Sequence, residues 1–384
     1  MILYDELITW QNLLPLTFTR SIAECRVGIL TIQEKWKHYL KTESQIEYVQ
    51  EYLRHTSNDN SDGIRIVSNL LPNKELVNVI AGLTENSALF YDNIEIASKN
   101  KKVDFKILTY NGAISFIHYP WDIFLANDAE IRKDYELITA GRTSAHLSSD
   151  NKIIGENIFI EPEAKVHCSI LNTNTGPIYI GKNAEVMEGA TIRGPFALGE
   201  NAQIKMGAKI YGATTIGAGC KVGGEITNSV FFANSNKAHD GYLGNSVLGE
   251  WCNLGADTNS SNLKNNYSQV DIYNYHQNAS IDTGQQFLGL IMGDHSKAGI
   301  NTMFNTGTVV GVCANIVGAG FPKKHIPSFS WSISEKIRPY DWEKALETIR
   351  IVYARRNRIL TEHEENILKH IYQETFRTQA ESKL

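Results

Sequence analysis

The chain has 384 residues, 42% of them hydrophobic and 21% charged, with 29 Gly and 9 Pro, the make-up of a globular protein of two or three domains; a small disulfide scaffold, a collagen-like fibre and a disordered chain are excluded. Lys and Arg total 37 against 42 Asp and Glu, a net charge of -5, which excludes a broadly basic polyanion binder and requires any phosphate site to be local. Residues 1–10 lack the basic start of a secretory leader, no apolar run approaches the roughly 20 residues of a membrane helix, and the five cysteines show neither CxxC nor zinc spacing, so reduced, mostly buried thiols in a cytoplasmic protein are expected.

Residues 1–135 read as a mixed α/β domain. Strands are expected at Ile2–Tyr4, Ile64–Val67, Ala88–Tyr91, Phe105–Leu108 and Ala113–Ile117, and helices near Thr31–Leu40 and Lys74–Ile80. From residue 180 an aliphatic residue recurs at every sixth position: Ile180, Val186, Ile192, Leu198, Ile204, Ile210, Ile216 and Val222. A small residue, such as Ala184, Ala190, Ala202 or Ala208, stands two places before most of them, and Gly181, Gly199 and Gly217 follow at intervals of three hexads. One short strand and one turn per hexad, with the aliphatic side chain inside, predicts a three-sided parallel β-helix over residues 150–330, its core built by stacking. The phase begins at Ile154, Ile160 and Val166 and returns at Leu248, Leu254, Met292, Ala298, Phe304, Val310 and Ile316. Interruptions are expected at roughly 228–245 and 259–287, and loops leaving a rigid scaffold are where function concentrates.

Residues 334–384 return to helical spacing, with Trp342, Leu346, Ile349 and Tyr353 on one face, then Ile367 and Ile371; Thr361 followed by Glu364 is a capping box. These helices are expected to cap the open end of the solenoid. Arg355, Arg356 and Arg358 read as a solvated helix face, and His276 and His295 as polar surface residues.

The stretches Asn236-Lys-Ala-His-Asp-Gly-Tyr-Leu-Gly-Asn245, Asn253-Leu-Gly-Ala-Asp257 and Ser261-Asn262-Leu263, set in a hexapeptide-repeat helix, resemble the bacterial and archaeal bifunctional glucosamine-1-phosphate N-acetyltransferase / N-acetylglucosamine-1-phosphate uridyltransferase family. The whole chain is most similar to its alternate Bacteroidetes-type form, with a shortened sugar nucleotidyltransferase-like N-terminal domain. The resemblance implies a left-handed parallel β-helix, acetyl-CoA as co-substrate, a homotrimer with sites between subunits, and Mg²⁺ if the N-terminal domain transfers nucleotides. It also implies that His239 is the general base, that Glu225 orients it, that Asn262 orients amine and thioester, and that Tyr242, Asn253 and Lys237 hold the amino-sugar phosphate. Leu263 and Asn245 stand where the family has Tyr and Asp.

The chemistry agrees with those residue types. N-acetylation needs a neutral amine to attack a thioester while a group titrating near neutrality takes the proton, a task suited to histidine, and backbone N–H groups at a β-helix corner are candidate donors to the oxyanion. Lys323 and Lys324, after Gly318-Ala-Gly320, are either contacts for the acetyl-CoA phosphates or a solvated loop. In the first domain, Leu14-Pro-Leu-Thr17 with Arg20 and Arg26, and Tyr119-Pro-Trp-Asp122 with Asn127, resemble segments of sugar-phosphate nucleotidyltransferases. The family's Gly-rich phosphate loop and its Mg²⁺-holding Gly-Asp pair are not found, and Ser68-Asn69-Leu-Leu-Pro72 occupies the region of the latter. Arg20, Arg26 and Lys35 are therefore either substitute phosphate contacts or surface charges of a relic domain. The expected function is acetyl-CoA-dependent N-acetylation of an amino-sugar phosphate in UDP-N-acetylglucosamine synthesis, with or without uridyl transfer. The rivals are a nucleotidyltransferase with a scaffolding β-helix and a non-catalytic sugar-nucleotide-binding scaffold.

Overall fold

The computed structural model describes residues 1–54, 63–334 and 336–381. The first domain is built on a mixed sheet in the order Gln45–Glu47, Ile2–Tyr4, Ile64–Val67, Ile94–Lys99, Ser87–Tyr91 and Lys106–Thr109, in which the first three strands are parallel. Its helices include α1 (Leu7–Asn12), α2 (Ile32–Leu40), α3 (Lys74–Ala81) and α4 (Pro120–Thr139). Helix α2 starts on a Thr31–Glu34 capping box and α3 on an Asn73 cap. Helix α4 has no counterpart in the periodicity reading, because Asn127, Glu130 and Asp134 are buried in it and break the apolar stripe.

Residues 152–333 form the three-sided parallel β-helix that the hexads predict. Among the described residues its three faces carry nine strands (face A), ten (face B, including a closing hairpin) and eight (face C). On face A Ile180 pairs with Leu198 and Leu198 with Ile216, so residues three hexads apart stack in line. Every aliphatic residue from Ile180 to Val222 in the hexad series is at most 1% exposed. Each regular coil repeats after three hexads, which is why the sequence period carries the register.

Two expectations are corrected. The stretch 228–245 does not leave the solenoid: Val230–Phe231, Asn236–Lys237 and Tyr242–Gly244 are strands of the three faces. Only the second interruption is a true excursion. It carries an antiparallel hairpin, Asp271–Asn274 with Ala279–Asp282, that reaches α1 through Asn274 to Asn12 (3.0 Å) and His276 with Gln11 (2.8 Å). The C-terminal helices α5 (Trp342–Ala354) and α6 (Glu362–Glu381) do not sit over the end of the coil. They run along the corner between faces A and B: Arg356 donates to the Gly219 carbonyl (2.8 Å), Tyr353 stacks on Trp251, and Trp342 and Tyr372 pack on Phe329. Burying these aromatic rings along the corner removes their apolar surface from water. Thr361 and Glu364 form the expected capping box.

The coil interior is one core; a second core joins the first domain, the outer side of face A and helices α5 and α6. Cys25, Cys220, Cys252 and Cys313 are buried free thiols and Cys168 is exposed. Among the described residues no helix is long and apolar enough to cross a membrane.

Candidate active site

The residues 238–241 turn the chain from face B to face C, and His239 and Asp240 are exposed there. The coil below makes the same turn with Gly223 and Gly224 alone, between Lys221–Val222 and Glu225–Thr227. The two corners touch: a Cβ on Gly224 would lie 2.7 Å from the Gly241 carbonyl oxygen and 2.9 Å from that of His239, and Gly224 has φ +76°. Only glycine satisfies both the backbone conformation and the approach.

Face C gathers a polar cluster beside this corner. Asn262 gives its amide N–H groups to the Tyr242 hydroxyl (3.0 Å) and to Asn245 Oδ1 (2.8 Å). Tyr242 folds back over Gly244, where a Cβ would meet its hydroxyl at 2.3 Å, and its backbone N–H donates to Asn259 Oδ1 (2.8 Å). Burial raises the Tyr242 pKa, so the phenol stays a donor. Asn245 stands out in the sequence only as the residue where the resembled family has Asp, and Asn259 is not singled out there; the polar run from Asn259 to Asn262 is the available signal.

The structure separates other expected site residues. Glu225 pairs with Tyr242 in register, yet its carboxylate accepts a hydrogen bond from Tyr211 (2.6 Å) and makes none with His239. That hydrogen bond is the main reason the Tyr211 phenol is pushed up to about 12. The shortened Gly223-Gly224 corner carries Glu225 onto face C, diagonal to Tyr211 in the coil below, so the His-orienting role is corrected. Asn253 is exposed on face B, next to Asn236 and Lys297, and not in the face C cluster.

Lys237 is corrected as a substrate contact. It occupies the interior column of face B, paired with Val222, and is fully buried. Its ammonium donates to the carbonyls of His239 (2.6 Å), Asp240 (3.2 Å) and Gly223 (3.3 Å), and burial pushes its pKa down to about 8. Lys323 is exposed; Lys324 donates to the Asp271 carbonyl (3.2 Å) at the base of the hairpin, three coils along from His239. His295, expected at the surface, is 6% exposed beside Trp251 and Tyr353, and burial pushes its pKa down to about 3. His276 is exposed.

The three basic residues of the first domain are all engaged within the chain. Lys35 is fully buried between Glu130 (2.8 Å) and Asp134 (2.6 Å) of α4. Arg26 donates to the Ile29 carbonyl and lies 3.9 Å from Glu34. Arg20 forks onto Asp294 of the β-helix at 3.0 and 2.6 Å, so it holds the two domains together. Neither a phosphate contact nor a surface charge describes Arg20 or Lys35. The strand ends also fail to fit Mg²⁺. Asp5 is the carboxylate there, 8% exposed, with one oxygen accepting from Ser21 (2.8 Å) and the Ile22 N–H (3.1 Å). Burial pushes it up to about 7, and the Ser68 hydroxyl beside it adds no charge where a divalent cation needs several anionic or water oxygens.

Residues 1–143 match the sugar nucleotidyl transferase family model. The bifunctional sugar-1-phosphate nucleotidylyltransferase/acetyltransferase of Sulfurisphaera tokodaii is 29% identical over 59% of this chain and 49% of its own length. The bifunctional protein GlmU of Methanococcus vannielii is 26% identical over 66% of this chain and 52% of its own. The chain thus spans about half the length of these two relatives. An uncharacterized acetyltransferase, YaiX, of Escherichia coli is 30% identical over 44% of this chain and 73% of its own length. At 30% identity over 73% of that acetyltransferase's length the chain belongs to its acetyltransferase family, and it carries a sugar nucleotidyl transferase-family domain in front of the coil.

Proposed function

We propose that the protein is an acetyl-CoA-dependent N-acetyltransferase acting on an amino-sugar phosphate, glucosamine 1-phosphate being the substrate class implied by the His239 motif. The observation that carries this reading is an exposed histidine on a fixed corner beside the Tyr242–Asn262–Asn245 cluster. The substrate nitrogen attacks the thioester carbonyl carbon, the nitrogen's proton passes to the His239 imidazole, and the C–S bond breaks to release CoA, whose sulfur takes up that proton. Asn262 has both N–H groups engaged, which leaves its Oδ1 to accept from the substrate amine and to aim the nitrogen lone pair at the thioester. Lys323 and Lys324 are assigned to the phosphates of CoA, whose long arm has the length to run along the coil towards His239. Asn253 faces away from this cluster, so its assigned role as a sugar contact requires a substrate shared between subunits of a homotrimer. Uridyl transfer is left out of the reading, because Arg20, Arg26 and Lys35 are engaged and the strand ends do not fit Mg²⁺.

The test is His239→Ala. Acetyl transfer from acetyl-CoA to glucosamine 1-phosphate should fall roughly 10²- to 10⁴-fold, with the circular dichroism spectrum and the trimer mass by light scattering unchanged. A variant that keeps near-normal transfer refutes the assignment, and a stable, fully active monomer refutes the shared site.

A further inference from the structure

In the other four-residue corners from face B to face C the third residue's N–H donates to the coil below, and in all of them but 299–302 the fourth's N–H closes back on the first residue's carbonyl. At 187–190 these bonds are Gly189 to Cys168 (2.9 Å) and Ala190 to Met187 (3.4 Å); at 205–208 they are Gly207 to Glu188 (3.0 Å) and Ala208 to Lys205 (3.2 Å). At 255–258 they are Asp257 to Asp240 (3.1 Å) and Thr258 to Gly255 (3.2 Å).

The corner 238–241 lacks both bonds: the N–H groups of Asp240 and Gly241 make no hydrogen bond among the described residues. Two features account for this. The two-residue Gly223-Gly224 corner below supplies no carbonyl under Asp240. From inside, the Lys237 ammonium holds the carbonyls of His239 and Asp240, its three donors matched by three carbonyl acceptors. A trans peptide is planar with C=O and N–H on opposite sides, so pulling these two carbonyls inward turns the N–H groups of Asp240 and Gly241 outward. They lie one and two residues from the exposed His239 side chain.

We propose that Lys237 is a positioning residue that sets this corner, and that the free N–H groups of Asp240 and Gly241 are the donors that receive the thioester oxygen as it becomes an oxyanion. The role rests on the acetyl-transfer reading above. The lysine stands where the hexad pattern calls for an aliphatic residue, so Lys237→Met restores an apolar interior while releasing the carbonyls. The free corner then relaxes to the ordinary turn, and the Gly241 N–H closes on the Ala238 carbonyl.

Two measurements test it on the full-length protein. Hydrogen–deuterium exchange read at single residues should show the Asp240 and Gly241 amides exchanging within seconds in the wild type, while Gly207 and Ala208 are protected. In Lys237→Met, Gly241 should gain protection and kcat should fall roughly 10²- to 10³-fold, the effect of losing an oxyanion donor. KM for both substrates should stay within about twofold. Protected Asp240 and Gly241 amides in an active wild type overturn the proposal while leaving the functional reading intact, and this holds even if the variant does not fold. A folded Lys237→Met with kcat within about threefold of wild type also overturns it. Wild-type protein that acetylates no amino-sugar phosphate refutes the functional reading and the oxyanion role together.

Discussion

Arg20 crosses from the first domain to the β-helix, and its removal has a calculable cost. Its guanidinium forks onto Asp294 at 3.0 and 2.6 Å, donates to the Leu16 carbonyl (3.0 Å), lies over the Phe232 ring at 5.2 Å and sits 3.7 Å from Glu250. The side chains of Arg20 and Asp294 are 8% and 5% exposed, so neither charge has water to fall back on. Burial pushes the Asp294 carboxyl up, and the charge and hydrogen bonds of Arg20 outweigh that and hold it below its ordinary value. Arg20→Met keeps the contact with Phe232 but leaves a buried carboxylate whose other partners are Thr19 (2.7 Å) and the Glu250 N–H (2.8 Å); breaking such a pair costs about 3–5 kcal/mol. Asp294→Asn removes the charge and keeps an acceptor for the Glu250 N–H, while the Thr19 hydroxyl, which donates to the other oxygen, can turn to accept from the new amide. The double variant should therefore recover about 2 kcal/mol or more of the loss, a coupling that independent sites do not show. Urea unfolding followed by tryptophan fluorescence on wild type, both single variants and the double variant measures this. An Arg20→Met cost below about 1 kcal/mol, or losses that simply add, would refute the view that this pair clamps the domains.

Two further outcomes follow from burial. Leu198 is fully buried between Ile180 and Ile216, so Leu198→Ala should cost about 3–5 kcal/mol; calorimetry that finds less than about 1 kcal/mol would show that the stack does not carry the coil. Asp5, ordinarily near 3.8 and here pushed up to about 7 by burial, stays protonated in the fold over a range where the unfolded chain has lost its proton. Wild type should therefore lose stability relative to Asp5→Asn as pH rises from about 4 to about 7, by up to about 4 kcal/mol. Chemical denaturation at pH 4 and pH 8 checks the sign, and an Asp5→Asn variant that is less stable than wild type at pH 8 would contradict it.

The β-helix was readable because its partners in space lie a constant number of residues apart. A six-residue period states which side chains are inside, and three periods state which residues stack. The capping boxes at Thr31 and Thr361 were equally local, since donor and acceptor are three residues apart. The motif around His239 marked a corner with chemistry in it, but not how the corner was built. That depended on two residues missing from the coil below, fifteen positions earlier, and on a lysine placed inside where the pattern calls for Val or Leu. The fate of the other charges was longer-ranged still: Arg20 and Asp294 are 274 residues apart, and Lys35 and Asp134 are 99 apart. Alternation of apolar and polar residues determines inside and outside. A buried charge is stable only against a specific partner, and which partner it meets is decided when the first domain, the coil and the C-terminal helices pack together.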